Sequence, residues 1–203
     1  MEQESKRITI AVIVGTVRPG NYTSMATALL VDELRKNPEV TLELINPTDL
    51  HLPFPGTNPN AEGTRKLQQI VKDATAVVLA TPEYHGGVSA MMKLIIENLG
   101  FPSVLAGKPV ALLGVAAGSI GAIKSLEQLR GIASHIGGIV LPFSASVPNV
   151  QKVFDSSGKV LDPAVDKLIR TLAKNLLDYI HQNICPSVTL ERLMRQGVAA
   201  VSS

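Results

Sequence analysis

The chain has 203 residues, of which 45% are hydrophobic, and its 19 basic and 17 acidic side chains give a formal net charge of +2. This length suits one domain, no apolar run approaches the ~18 residues of a membrane span, and no Lys/Arg cluster alternates with aromatics as in nucleic-acid-binding proteins. Because no apolar signal segment precedes the first strand and Cys185 is the one cysteine, we expect a cytoplasmic protein without a disulfide or a nucleic-acid or membrane partner.

The first half of the chain alternates predicted strands and helices. Residues 8–14 are almost uninterruptedly apolar, which is typical of a strand buried on both faces of a parallel sheet. A helical pattern over 22–36 stops before Pro38, and residues 40–45 alternate like a strand. The following stretch, 46–60, is rich in Pro, Asn and Thr and predicts a long loop.

The second half continues the alternation. The predicted helices cover 62–72, 89–99, 121–136 and 162–181, and the predicted strands cover 74–81, 109–115 and 138–141. Five such βα units predict an α/β, flavodoxin-like three-layer sandwich over residues 1–181. In the tail, 182–203, apolar residues at helical spacing are compatible with a short helix as well as with frayed chain: Leu190, Leu193 and Met194.

The junction after strand 74–81 has the sequence Thr-Pro-Glu-Tyr-His-Gly-Gly. Pro82 fixes its own φ, and the two glycines, Gly86 and Gly87, let the main chain curve without obstruction. In an open parallel sheet the carboxyl end of a strand is where ligands bind, so Tyr84 could lie against a planar ring. An ordinary surface turn is the alternative interpretation.

The loop 15–24 joins the first strand to the first helix, where free amides and the helix dipole favour an anion. Small hydrogen-bonding residues surround Arg18, whose guanidinium suits a phosphate: Thr16, Asn21, Thr23 and Ser24. Helix capping alone would also explain this composition. The loop lacks the glycine spacing of a dinucleotide fingerprint and of a triphosphate loop, so a monophosphate remains.

A monophosphate loop and a ring loop at one sheet edge match FMN bound to a five-stranded parallel sheet of order 2-1-3-4-5. A third loop, 116–121, follows the strand 109–115 and contains small residues that would admit the other side of the ring. These include Ala117 and Gly118.

Three motifs together resemble the NADPH-dependent FMN reductase family, which includes soluble quinone, azo-dye and chromate reductases. They are Gly15-Thr16-x-Arg18, the run from Thr81 to Gly86 with Lys93 in the following helix, and the small-residue loop 116–121. The similarity extends over roughly residues 6–181. The family commonly has Ser and Asn where this chain has Asn21 and Thr23, and often Asn at the position of His85.

The resemblance implies an oxidoreductase that uses FMN, takes hydride from NADPH or NADH as co-substrate, and has a small-molecule electron acceptor. It implies phosphate contacts from Thr16, Arg18, Asn21, Tyr22 and Thr23. It implies ring contacts from Pro82, Glu83, Tyr84, His85, Gly86 and Gly87.

Other polar residues admit simpler roles. His85 could donate a hydrogen bond to flavin or substrate or be a tolerated turn residue, and Glu83 is expected to pair with a basic residue of another subunit. The remaining histidines are His51, His135 and His181, which stand far apart in sequence. No metal site is therefore predicted.

Three functions remain open from the sequence: a flavoenzyme, a flavodoxin-type electron carrier and a binding or regulatory protein. The near-neutral charge, the absence of Trp and the presence of only three Tyr favour the enzyme, because they predict an open ring face. Donor and acceptor would then occupy one place in turn, which gives ping-pong turnover without a catalytic side chain.

A homodimer or homotetramer is predicted from the helix 89–99. This segment and the residue before it carry more apolar side chains than one sheet face requires: Val88, Met91, Met92, Ile95, Ile96 and Leu99.

Overall fold

A parallel sheet with helices on both faces forms the centre of the computed structural model, which describes residues 8–58, 60–188, 191 and 194. The strands are β1 (Ile8–Val14), β2 (Val40–Ile45), β3 (Ala76–Tyr84), β4 (Gly87–Val88), β5 (Pro109–Val115), β6 (Ile139–Val140) and β7 (Ala145–Val147). The parallel order is β2-β1-β3-β5, and both β6 and β7 pair with the outer edge of β5. The predicted order 2-1-3-4-5 is confirmed if β6 and β7 count as one interrupted strand.

Five α-helices cover the sheet: α1 (Tyr22–Leu34), α2 (Glu62–Asp73), α3 (Ala90–Glu97), α4 (Ile123–His135) and α5 (Pro163–Tyr179). α1 and α5 pack on one face, and α2, α3 and α4 pack on the other. These bounds lie within about two residues of the sequence predictions. Among the described residues, no helix is both long enough and apolar enough to cross a membrane.

The fifth strand differs from the prediction of one segment over 138–141. The chain pairs with β5 as far as Leu141, whose N–H donates to the Val110 carbonyl over 2.9 Å. Pro142 then interrupts the pairing because it has no N–H to donate. The strand resumes as β7, with Ala145 beside Leu113.

The chain remains helical directly after α5, through Ile180–Ile184 and residues 185–188. The predicted tail helix falls partly outside the described residues, because Leu190 and Leu193 are not among them. Met194 is described and is exposed.

α3 does not present the free apolar surface expected from its sequence. Large apolar side chains of α3 and of the residue pair after it are buried within the same subunit, in the core formed with α2, α4 and the loop after β2: Met92, Ile95, Ile96 and Leu99. Val88, just before α3, and Met91 and Leu94 on α3 are half-buried. The prediction did not include the loop after β2, whose side chains Leu50 and Leu52 also pack on this face of the sheet.

An ion-pair network joins the last turn of α1 to α5. Arg170 donates to Asp32 over 2.6 Å and to Glu33 over 3.0 Å, and Lys36 donates to Glu33 over 2.6 Å. The Lys36 hydrogen bond holds the pKa of Glu33 below its usual value although the carboxylate is buried. Both carboxylates of this turn are therefore occupied by cations.

Candidate functional site

Three loops meet at the carboxyl edge of the sheet, because β1, β3 and β5 are adjacent and parallel. We call residues 15–21 the first loop, the turn between β3 and β4 with its flanking residues 82–87 the hairpin, and residues 116–121 the third loop. The register places Val14 beside Ala80 and Pro82 beside Val115. The sequence prediction that the three loops share one edge is thereby realised in the fold.

The base of the first loop is fixed by close packing. The Gly15 N–H donates to the Ala80 carbonyl over 2.7 Å, and the buried Ser89 hydroxyl donates to the Gly15 carbonyl. A Cβ added at Gly15 would lie 2.8 Å from two carbon atoms of Met92. Only glycine therefore fits where β1 passes the start of α3.

Asn21 closes the first loop and caps α1. Its side-chain oxygen accepts the Ser24 N–H over 2.7 Å, and its amide donates to the Arg18 carbonyl over 2.7 Å. Within the described residues, the N–H groups of Tyr22 and Thr23 donate no hydrogen bond. Two free donors thus remain at the positive end of the helix dipole.

The first two side chains of α1, Tyr22 and Thr23, pack against the protein. Tyr22 stacks on Phe154 with ring centroids 6.4 Å apart, and Thr23 is buried. Thr16 is also buried, and its hydroxyl accepts the Arg18 N–H over 3.4 Å. Tyr22 and Thr23 therefore each offer a backbone donor to a ligand, and the side chain of Thr23 is not accessible to it.

The ring loop proposed from the sequence is a tight β-hairpin. β4 pairs antiparallel with the end of β3, with Tyr84 opposite Gly87. The two turn residues, His85 and Gly86, have φ of 52° and 75°. Positive φ at both positions is the geometry of a type I′ turn, in which Asn-Gly is the preferred pair.

The hairpin is anchored on the first turns of α4. The Ser125 N–H donates to the Glu83 carboxylate over 3.0 Å, and the Val88 N–H donates to the Gln128 side chain over 2.8 Å. Glu83 thus caps α4 within the subunit, where the sequence had suggested a basic partner on another subunit. Ser125 and Gln128 were missed, because no local pattern connects them to the hairpin.

Arg18 joins the first loop to the hairpin. Its guanidinium carbon lies 4.7 Å from the centroid of the Tyr84 ring. This is a cation–π contact. Arg18 covers one face of Tyr84, so a flat ligand would have to use the other face or the edge of that ring.

The third loop is open towards solvent. A Cβ added at Gly118 would meet no atom within 4 Å, whereas one at Gly121 would lie 2.5 Å from the Ser146 hydroxyl. Ile120 is 74% exposed in this loop. Ala117 is exposed as well, and its carbonyl accepts a hydrogen bond from Gln151 over 3.2 Å. An exposed apolar side chain therefore lies beside free space at the site.

These donors and spaces fit FMN. The first loop supplies one anion site, made of two free amides and an arginine, and no second cluster of donors for a pyrophosphate is apparent in its sequence. The hairpin and the third loop follow neighbouring strands and leave exposed glycine backbone on each side.

A cavity of about 530 Å³ lies between the first loop, α1 and β2. The first loop forms one wall, but no hairpin residue lines the cavity. Its other lining residues include Arg35 directly after α1, Leu44 on β2, and Asn46 and Thr48 beyond β2. Sequence analysis did not identify this cavity.

His181 lies away from the three loops. His181 Nε2 lies 2.8 Å from a carboxylate oxygen of Glu39, below the opposite edge of the sheet. Among the described residues, no group of three metal-ligating side chains is found.

Comparison with known proteins matches residues 8–152 to the family model of NADPH-dependent FMN reductases, the family that the sequence motifs resemble. An NADPH azoreductase of a Bacillus species is 31% identical over 111 residues, which cover 55% of this chain but less than two thirds, 62%, of that protein. An NAD(P)H-dependent FMN reductase of Pseudomonas aeruginosa is 27% identical over 82% of this chain and 91% of its own length.

Solved structures give the same fold. The flavoenzyme NAD(P)H:(acceptor) oxidoreductase FerB of Paracoccus denitrificans superposes with a TM-score of 0.72 and 23% identity, covering 86% of this chain and 98% of that chain. A Streptococcus pneumoniae flavodoxin superposes with a TM-score of 0.55 and 12% identity, over 84% of this chain and 98% of its own. The flavodoxin-like architecture predicted from the sequence is confirmed.

Proposed function

Because the chain belongs to the NADPH-dependent FMN reductase family, we propose that it transfers hydride from NADPH or NADH through bound FMN to a quinone, flavin or azo acceptor. The observation that carries this proposal is the contact of Arg18 with Tyr84, 4.7 Å from guanidinium carbon to ring centroid. It brings the anion loop and the ring hairpin within the span of one side chain, as one mononucleotide requires.

The first loop would bind the phosphate. The free N–H groups of Tyr22 and Thr23 would donate to it, and the Arg18 guanidinium would add charge-assisted hydrogen bonds. The contribution of Asn21 is indirect, because its side chain already caps the helix and holds the loop closed. Thr16 is buried at the base of the loop and offers its hydroxyl there.

The hairpin and the third loop would hold the ring between them. Backbone groups from Pro82 to Gly87 lie on one side, and Ala117 and Gly118 lie on the other, where a Cβ on Gly118 would meet nothing within 4 Å. Held in this way, FMN would supply the hydride-transfer chemistry between the nicotinamide and the acceptor. The protein's part is to bind and orient the reactants.

The outer face of this site would accept flat substrates. Tyr84 is the only aromatic residue in the three loops, and one of its faces is covered by Arg18. Ile120 and Ile123 are exposed apolar side chains at the outer rim. Donor and acceptor would stack there in turn, and this exchange is the basis of a ping-pong sequence.

An anaerobic absorbance titration tests the proposed function. Protein loaded with FMN should lose its flavin absorbance on addition of NADPH or NADH and regain it on addition of a quinone or an azo dye. No bleaching by either nicotinamide would contradict the proposal and favour an electron carrier reduced by another protein.

Steady-state kinetics test the order of substrates. Initial rates at several NADPH concentrations, plotted in double-reciprocal form for several quinone concentrations, should give parallel lines. Intersecting lines would show that donor and acceptor are bound together, which would exclude the ping-pong sequence. Repeating the series with an azo dye and with free FMN ranks the acceptors.

A homodimer or homotetramer is part of this proposal, although α3 leaves less apolar surface free for its interface than the sequence predicted. The exposed pair Ile120 and Ile123, 74% and 45% exposed, offers apolar surface at the rim of the site instead. A second subunit placed there would deepen the substrate groove. As the protein is diluted, its sedimentation coefficient and its specific activity should decrease together. A monomer with full specific activity would show that catalysis does not require an oligomer.

A further inference from the structure

Ser89 connects the first loop to the start of α3 through its side chain. The side chain is buried, and its hydroxyl caps the helix by accepting the Met92 N–H over 3.0 Å. The same hydroxyl donates to the Gly15 carbonyl, where the first loop begins. A helix cap requires only the acceptor, so the donated hydrogen bond is a connection beyond the cap.

The main chain of Ser89 adds a connection to the hairpin. Its N–H donates to the Thr81 hydroxyl over 3.4 Å, and that hydroxyl donates to the Pro82 carbonyl over 2.9 Å. Thr81 is fully buried, and the low dielectric of a protein interior strengthens each bond of such a chain. A continuous path of hydrogen bonds therefore runs from Gly15 through Ser89 and Thr81 to Pro82, the first residue of the hairpin.

The first loop has few other links to the rest of the protein. Within the described part of the chain, the hydrogen bonds of residues 15–20 to groups outside the loop and α1 reach two partners, the Ala80 carbonyl and the Ser89 hydroxyl. The hairpin is held separately, because Glu83 and Val88 are bound to α4. Loss of the Ser89 hydroxyl should therefore loosen the first loop and leave the hairpin in place.

We propose that Ser89 is a positioning residue that keeps the first loop in register with the hairpin, so that one FMN molecule can use both at once. The inference rests on the proposed function and adds to it a buried residue that acts through Gly15 and Thr81. A ligand that joins two sites gains affinity only while the sites keep the distance that the ligand spans. Riboflavin has no phosphate and uses the ring site alone, so its affinity should not depend on that register.

The ratio of FMN affinity to riboflavin affinity measures the register, and fluorescence quenching titrations give both values. In Ser89→Ala, FMN affinity should fall about tenfold, as for one lost buried hydrogen bond, while riboflavin affinity should fall less than about twofold. Ser89→Thr keeps the hydroxyl and should preserve the wild-type ratio. Rescue by threonine would show that the hydroxyl is the group responsible.

Thr81→Val breaks the same path at its other link and keeps the shape of the side chain. Because the hydrogen bond from the Ser89 N–H to Thr81 is long, the affinity ratio should fall less than in Ser89→Ala, about threefold. The double variant should resemble Ser89→Ala alone, since a single break is enough to uncouple the two segments. Thr81→Val also decides the question if Ser89→Ala does not fold.

Thr64→Val is the matched control for loss of a buried hydroxyl. The Thr64 hydroxyl donates to the side-chain oxygen of Asn98 over 2.7 Å, and Asn98 ends α3 at the end opposite Ser89. This variant should lose stability without a change in the ratio of the two flavin affinities. A role of Ser89 in stability alone would give the same result for Ser89→Ala.

The proposal is overturned if Ser89→Ala or Thr81→Val keeps the wild-type ratio, or if FMN and riboflavin lose affinity in parallel. A fall of the ratio in Thr64→Val as large as in Ser89→Ala would overturn it as well. Wild-type protein that binds FMN but is not bleached by NADPH or NADH would contradict the proposed function alone, because the ratio is a property of binding. Wild-type protein that binds neither flavin would contradict both.

Discussion

The hairpin and the first loop lie at the same sheet edge, yet they are built in opposite ways. In the hairpin, the Glu83 carboxylate and the Val88 N–H are both paired with α4. In the first loop, the amides of Tyr22 and Thr23 stay free within the described part of the chain. The hairpin is shaped by the protein itself, whereas the first loop leaves its donors for a ligand.

This difference separates two kinds of mutational effect. Changes at the base of the loops or in the hairpin contacts should lower the free energy of unfolding. Changes at the free donors of the first loop should lower ligand affinity instead.

Gly15→Ala should have the largest effect. Its Cβ would lie 2.8 Å from Met92 carbons and 3.2 Å from the Ala80 carbonyl oxygen, so the free energy of unfolding should fall by about 3 kcal/mol. Urea denaturation measures this. Gly118→Ala is the matched control, since its Cβ would meet no atom within 4 Å, and its stability should stay within about 0.5 kcal/mol of wild type. Equal losses in both variants would contradict the packing argument.

Arg18→Ala should weaken FMN binding by about 2 kcal/mol through the lost phosphate contact. Riboflavin, which lacks the phosphate, should lose much less, about the 0.5 kcal/mol expected from the cation–π contact that orders Tyr84. Fluorescence quenching titrations measure both ligands. A parallel loss of affinity for FMN and riboflavin would show that Arg18 acts on the ring and not on the phosphate.

Glu83→Ala should lower the free energy of unfolding by about 1 kcal/mol, because α4 loses the carboxylate that accepts the Ser125 N–H. Glu83→Gln keeps an acceptor and should lose about half of that. Flavin affinity should be unchanged in the glutamine variant. A tenfold loss of FMN affinity in that variant at constant stability would assign Glu83 to the ligand.

His85→Asn should have the smallest effect, a gain in unfolding free energy of about 0.5 kcal/mol, because Asn-Gly is the preferred type I′ pair. His51 also has positive φ, 46°, and lies outside the three loops. His51→Asn is therefore the matched control. A rise in KM for NADPH in His85→Asn alone would show that the imidazole contacts substrate, while equal kinetics in both variants would leave it a turn residue.

The sequence predicted the parts of this site that depend on short-range patterns. The apolar run of β1, the capping composition around Asn21 and the glycines of the hairpin are local signals, and the parallel topology then places their loops at one edge. The interruption at Pro142 was also a local signal, but the short β6 before it carried too little pattern to predict that the strand resumes.

Contacts between distant segments could not be predicted from the sequence. The hydrogen bond from Val88 to Gln128 spans 40 residues, and neither residue type indicates the other. The burial of α3 depends on Leu50, which lies in the loop after β2. The periodicity of the sequence does not predict the path of that loop. The cavity beside Arg35 is likewise a product of packing, since it is the space left between α1 and β2.

A crystal structure of the complex with FMN would locate both ends of the cofactor. We expect the phosphate at the amides of Tyr22 and Thr23 with the Arg18 guanidinium beside it, and the ring between the hairpin and the third loop. A phosphate in the cavity at Arg35, or a ring away from the hairpin, would contradict the account.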